Sequence, residues 1–152
     1  MTHESYTLHD SLGYLVHRAV RALAARLSEN FASAGLDVTV EQWKVLVNLY
    51  ERDGQPQGEL CERIGKDKTG VTRLVAGLVR RGLAVRMPGE SDRRVRRVWL
   101  TDKAKSLRER LFATVVRTLE EAQAGIGGEA LACCKDVLRR VAGNLAPRAG
   151  GD

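Results

Sequence analysis

The chain holds few of the residues that build metal or redox sites: three histidines and three cysteines in 152 residues. His3, His9 and His17 show no ligand spacing and have no Cys or carboxylate pair beside them, so a zinc site lacks a donor set. His9 and His17 are more than two helical turns apart, too far for one ion on a continuous helix. Cys61, Cys133 and Cys134 are odd in number, and two of them are adjacent, which argues against a disulfide framework. The motifs of common catalytic machinery are also missing. There is no Gly-x-Ser-x-Gly, phosphate loop or His-Glu-x-x-His, and no histidine is placed to serve a nucleophile. An enzyme is therefore disfavoured, and no cofactor is implied. No apolar stretch approaches the ~20 residues of a membrane span. The start, MTHESYTLHD, lacks the cationic and apolar regions of a signal peptide, which points to a cytoplasmic protein without a membrane partner. No internal repeat or second domain is visible, and the ending from Ala146 to Asp152 reads as a frayed tail.

What the chain does have is basic charge, and it is concentrated. Residues 62–100 carry eleven Lys or Arg against four Asp or Glu, a net +7 in a chain whose total is +6. Charge added for solubility would be spread out, whereas a surface that meets a polyanion gathers it.

Within that segment, Val71, Leu74, Val75 and Leu78 recur at helical spacing and predict one apolar stripe. Asp67 stands as an N-cap and Gly82 as a stop behind Arg80 and Arg81, so the helix is expected from about Lys68 to Arg81. Its outer face is Thr69, Thr72, Arg73, Ala76 and Arg80. The N-terminal half offers hydroxyl and methyl groups and a guanidinium at a width that fits the DNA major groove.

Upstream, Gly58 to Ile64 forms a short amphipathic segment ended by Gly65, and two helices joined this tightly make a helix-turn-helix. Downstream, Leu83, Val85 and Met87 alternate with Ala84 and Arg86, Pro88 to Asp92 breaks the chain, and Val98 and Leu100 alternate around Trp99. This pattern predicts a hairpin. Its tip and returning strand hold Arg93, Arg94, Arg96 and Arg97. A wing lying on phosphate or entering the minor groove needs such charge, because neutralising phosphates releases counterions.

The run LCERIGKDKTGVTRLVAGLVRRGL, followed by a strand and DRRVRRVWLT, resembles the MarR family of winged-helix transcription regulators. The family's wing pattern falls on Asp92, Arg94, Val98, Leu100 and Thr101, and the likeness in element order covers roughly residues 10–145. It implies that Arg94 enters the minor groove with Asp92 holding it, and that Lys68, Thr69, Thr72 and Arg73 face the major groove. Arg93 and Arg96 are added as DNA contacts from the basic run. Ala104 stands where the family often has glycine, which favours a helix there. Cys61 stands where alanine is common and reads as a small buried residue. No cysteine lies near the start of the first helix, where some relatives sense peroxide.

The flanks are predicted as long helices. Leu12, Leu15, Val16, Ala19, Leu23, Leu27 and Phe31 define one, ended by Gly35. Thr39 caps a second that carries Trp43, Val45, Leu46, Leu49 and Tyr50 and stops at Asp53-Gly54. After Thr101, Leu107, Leu111, Val115 and Leu119 mark a third, and Leu131, Cys134, Leu138, Val141 and Leu145 a fourth beyond Gly125 to Gly128. The fold class expected is mainly α with a small β wing. Residues 1–152 form one domain, with the winged helix-turn-helix at 39–101 and dimerisation helices at 10–35 and 102–145. The terminal stripes need partners, and a second copy supplies them; an intramolecular bundle is the alternative. A homodimer would present two reading heads to a pseudo-palindromic duplex.

The resemblance further implies release by a small aromatic or phenolic effector bound beside the dimer helices. His17, Arg21, Trp43 and Tyr50 are the candidates to line such a cleft, against the plainer reading of Trp43 as core and Arg21 as a surface cation. The function expected is a sequence-specific, double-stranded-DNA-binding repressor. Two alternatives stand beside it: a redox-responsive regulator using Cys61, Cys133 or Cys134, and a winged helix used for protein contact.

Overall fold

The helices that begin at Val40 and Lys68 start where a side chain caps them, and the short helix between them stops at a glycine turn. A computed structural model of the chain describes residues 7–89 and 94–146. Its elements run α1 (Leu12–Ser33), α2 (Val40–Glu51), β1 (Gln55–Pro56), α3 (Gln57–Ile64), α4 (Lys68–Arg80), β2 (Ala84–Pro88), β3 (Arg96–Leu100), α5 (Asp102–Gln123) and α6 (Gly128–Asn144), with a 3-10 turn at Leu8–Asp10 before α1. Thr39 and Gln42 form a reciprocal capping box at the start of α2. Asp67 caps α4 by accepting from the Gly70 amide at 3.2 Å. Between α3 and α4, Gly65 turns the chain at φ +68°, and the Lys66 amide returns to the Cys61 carbonyl at 3.3 Å. A side chain at Gly65 would strain that left-handed turn. Thr101 opens α5, accepting from the Ala104 amide at 3.2 Å.

The sheet is antiparallel in the order β1-β3-β2. The hairpin pairs Ala84 with Leu100 and Pro88 with Arg96. Two residues of β1 add to its other edge, Gln55 facing Val98 and Pro56 facing Arg97. The β1 edge is fastened at three points. Asp53 Oδ1 accepts from the amides of Leu100 at 2.8 Å and Gly54 at 2.9 Å. Arg97 Nη1 donates to the Gly54 carbonyl at 2.7 Å. Gly54 has φ +69°, and a Cβ built there would lie 2.4 Å from the Trp99 ring, so only glycine fits.

Residues up to Thr118 make one compact unit and Leu119–Asp152 a second. In the first, the core gathers Phe31 from α1, Leu46 and Leu49 from α2, Leu60 from α3, Val71, Val75 and Leu78 from α4, Val98 from β3, and Leu111 from α5. All of these are at most 1% exposed. The buried Gln55 side chain is satisfied, donating to the Asn48 and Arg52 carbonyls at 2.6 Å each. That caps the end of α2 and holds β1 in place. A second buried polar pair, Asn30 Nδ2 donating to Thr118 Oγ1 at 2.9 Å, ties α1 to α5.

The first half of α1 is different. Leu12, Leu15, Val16 and Val20 are all exposed. In the second unit α6 has no buried residue at all; Val137 and Leu138 on it and Leu145 just after it are exposed. No helix of the described residues is long and apolar enough to cross a membrane.

Candidate nucleic-acid interface

Helix α4 buries Val71, Val75 and Leu78 and turns Lys68, Thr69 and Arg73 to solvent, with Thr72 half-exposed. The division follows from the 3.6-residue period: the apolar stripe fixes the roll of the helix, and that roll sets which side chains face outward. Beside it, the wing turn closes with the Gly89 amide donating to the Val95 carbonyl at 2.8 Å. Arg94 and Arg96 are exposed on the wing. Asp92 and Arg93 lie outside the described residues.

The basic residues divide into two groups. Several are tied back into the protein and serve the scaffold. Arg63 pairs with Glu51 at 2.6 Å, Lys66 with Glu41 at 3.0 Å, and Arg81 with Asp37. Arg97 is half-buried against the Gly54 carbonyl. Lys44 and Lys66 both hydrogen-bond Glu41 and hold its carboxyl below the usual range. Lys68, Arg73, Arg94 and Arg96 are exposed along the recognition helix and the wing. The local charge excess therefore also serves the scaffold, fastening α3, the turn after it, the end of α4 and the wing to α2 and the residues on either side of it.

Between the start of α3, the start of α4 and the wing lies an open groove of about 690 Å³, lined by Gln57, Glu59, Cys61, Lys68, Arg94 and Arg96 among others. Lys68, Arg94 and Arg96 line its α4 and wing sides, where a phosphate backbone would be met, and Glu59 and Glu62 line its α3 side. Cys61 is half-buried: it packs against the core and also borders this groove, so burial describes it only in part.

Two residues of the interface were not picked out by sequence pattern. Gln57 is the first residue of α3, and its Nε2 donates to Thr72 Oγ1 at 2.7 Å. Arg86, on β2, donates from Nη2 to the Thr72 backbone carbonyl at 2.8 Å. For Arg86 a signal existed, because it is the polar member of the alternating strand. For Gln57 there was none, since the segment reads as helical only from Gly58.

The proposed effector-cleft residues separate. Trp43 is 8% exposed and packs edge-on to Phe112, with ring centroids 5.1 Å apart, and more distantly on Phe31 and Tyr50. Tyr50 donates its hydroxyl to the Ala104 carbonyl at 2.6 Å, and burial pushes its pKa up to about 12 against the opposing pull of Arg108. The Arg108 guanidinium sits over the Tyr50 and Phe112 rings at 5.8 and 5.6 Å. The structure thus brings Trp43 and Tyr50 into one aromatic cluster with Phe31 and Phe112. His17 and Arg21 stand exposed on α1. Cys133 and Cys134 are exposed on α6.

A helix-turn-helix followed by an arginine-bearing hairpin, mainly helical elsewhere, defines a winged-helix DNA-binding regulator. The MarR family model matches residues 36–95, which span α2 to the wing. An uncharacterized HTH-type transcriptional regulator of Bacillus subtilis (strain 168), YybA, is 28% identical over 116 residues, covering 76% of this chain and 77% of its own. A mutant MarR from E. coli complexed with operator DNA superposes with a TM-score of 0.80 at 26% identity, over 86% of this chain and 92% of that one. CouR from Rhodococcus jostii RHA1, bound to p-coumaroyl-CoA, superposes with a TM-score of 0.78 at 26% identity, over 96% of this chain and all of that one. Over its winged helix-turn-helix the chain is similar to the MarR family of DNA-binding transcription regulators, and it shares the fold of their solved structures.

Proposed function

We propose that the chain is a homodimeric repressor without catalytic activity. In this reading it acts in the cytoplasm, occludes a pseudo-palindromic operator, and leaves when a small aromatic or phenolic effector binds. The observation that carries DNA reading is the exposure of Lys68, Thr69 and Arg73 on α4 beside Arg94 and Arg96 on the wing, two elements bridged by the hydrogen bond from Arg86 to the Thr72 carbonyl. Helix α4 enters the major groove and Arg94 the flanking minor groove, with Asp92 in the role of its support and Arg93 as a further DNA contact. Likeness to a MarR protein complexed with operator DNA supports this role.

Pairing of two copies is supported by the apolar side chains that α1 and α6 leave in solvent, since Leu12, Leu15, Val16, Val20 and Leu138 gain by burial of roughly 25 cal/mol per Å². The dimer sets two α4 helices one DNA turn apart, and all of residues 1–152 then serve one function. The likeness to CouR bound to p-coumaroyl-CoA supports small-molecule control. The aromatic cluster around Trp43 and Tyr50, with Arg108 above it and His17 and Arg21 on α1, is where an effector would act. By binding the non-DNA arrangement better it would draw the population away from the operator.

The test is footprinting on the intergenic duplex beside the chain's own gene, with sedimentation of the free protein. Two protected major-groove segments about one helical turn apart and a two-chain mass are expected. One protected segment with a one-chain mass would overturn the dimeric reading.

A further inference from the structure

Thr72 is held by hydrogen bonds from three directions. Its hydroxyl donates to the Lys68 carbonyl one turn back at 2.7 Å. It accepts from Gln57 Nε2 at 2.7 Å, and its own backbone carbonyl accepts from Arg86 at 2.8 Å. A hydroxyl has one proton and two lone pairs. A carbonyl has no proton to offer, so the Thr72 proton goes to Lys68, and the Gln57 amide must turn its NH2 toward Thr72. Two bonds through Oγ1 fix χ1 in one rotamer, and the methyl is fixed with it.

This changes what Thr72 can say to a base. Guanine offers N7 and O6 as acceptors, adenine N7, and thymine O4. None of these can be served by a hydroxyl whose proton is already engaged inside the protein. What remains is one lone pair and a fixed methyl group on a half-exposed side chain. That lone pair can accept from adenine N6 or cytosine N4, but Oγ1 already carries two bonds, so the methyl is the less encumbered group and apolar contact with the 5-methyl group of thymine is the recognition it favours.

We propose that Gln57 is a specificity-determining positioning residue. By donating to Thr72 Oγ1 from α3, it locks the rotamer in which the hydroxyl proton stays on the Lys68 carbonyl and the methyl is held in place, and so commits the operator to thymine at one position in each half-site. The inference rests on the DNA-reading role of α4 proposed above. It extends that role to a residue of the other helix of the motif.

The experiment selects duplexes from a random library with the wild-type chain, then replaces each selected thymine by deoxyuridine, which removes only the 5-methyl group. One replacement per half-site should weaken wild-type binding by about 3- to 10-fold. Thr72→Val keeps the methyl and loses the hydroxyl, so it should retain the selected sequence and the deoxyuridine penalty. Thr72→Ser keeps the hydroxyl and loses the methyl, so its penalty should vanish. Gln57→Ala removes the lock on the rotamer, so the hydroxyl can leave the Lys68 carbonyl and turn to a base, and a second selection should admit purines at that position with a reduced penalty. Loss of the penalty in Thr72→Val, or an unchanged selection and penalty in Gln57→Ala, would overturn the inference. The Thr72 pair decides on methyl reading even if Gln57→Ala folds poorly. Enrichment of no sequence at all by the wild type would sink the regulator reading and the inference with it, whereas enrichment without methyl dependence sinks the inference alone.

Discussion

The winged helix-turn-helix and the terminal helices treat their apolar surface in opposite ways. In the former, α2, α3, α4 and β3 bury Leu46, Leu60, Val75 and Val98 completely, and even the buried Gln55 finds carbonyl partners. The first half of α1 holds Leu15 at 46% and Val20 at 58% exposure, and α6 buries nothing. One region is complete within a single chain. The other carries stripes of the same periodicity that a single chain leaves in water, which is the physical ground for proposing that a second copy covers them.

The largest effect expected separates these regions by the kind of stability they supply. Leu46→Ala should cost about 2–5 kcal/mol in urea unfolding, through lost transfer energy and a cavity in a site with no slack. The loss should be the same at every protein concentration in single-copy unfolding of the reading head. Next, Leu15→Glu with Val20→Glu should leave the far-ultraviolet circular dichroism of the chain intact. It should also convert sedimentation from two chains to one and weaken operator binding by about a hundredfold or more, as the two half-sites are no longer read together. If the paired variant sediments as the wild type does, α1 is not a pairing surface and the contrast between the regions needs another explanation.

A smaller effect sharpens the division among the cations. Arg94→Ala should lower affinity for every duplex and flatten the slope of log affinity against log salt by about 0.9, the share of one neutralised phosphate. Arg63→Ala, tied to Glu51 at 2.6 Å, should leave that slope unchanged. Equal slopes for the two variants would mean that tied-back and outward cations are not distinct.

The smallest effect expected is at Glu41. Lys44 and Lys66 favour its ionised form in the fold and lower its pKa from the ordinary 4.5. The stability it adds is therefore present above that ordinary value and is lost as pH falls through the lowered one. Glu41 is partly exposed, and screening keeps its contribution under about 1 kcal/mol. Glu41→Gln should show a small deficit at neutral pH that disappears in acid, read from urea midpoints across the range.

How far the amino-acid sequence alone foretells this structure depends on whether the determinant is local. The start of α4 at Lys68 was legible because Asp67, the Val71–Leu78 stripe and the glycine behind Arg81 all lie within one helix; its end falls one residue earlier, at Arg80. The capping box of Thr39 and Gln42 is equally local. Strand β1 was not legible. Two residues have no periodicity, and Gln55 and Pro56 are a strand only because Val98 and Arg97 lie opposite them. Nor could charge counting tell Arg97 from Arg96: one turns back to the Gly54 carbonyl and the other outward, a choice made by strand register. Gln57 escaped notice for the same reason, since its meaning comes from Thr72, fifteen residues away.

The central claim is sequence-specific reading of duplex DNA by α4 and the wing. Fluorescence anisotropy of the purified chain tests it most directly, using the intergenic duplex beside its own gene and a scrambled duplex of equal length as competitor. The account predicts that the scrambled duplex competes only at about a thousandfold excess. Competition at equal concentration would contradict it.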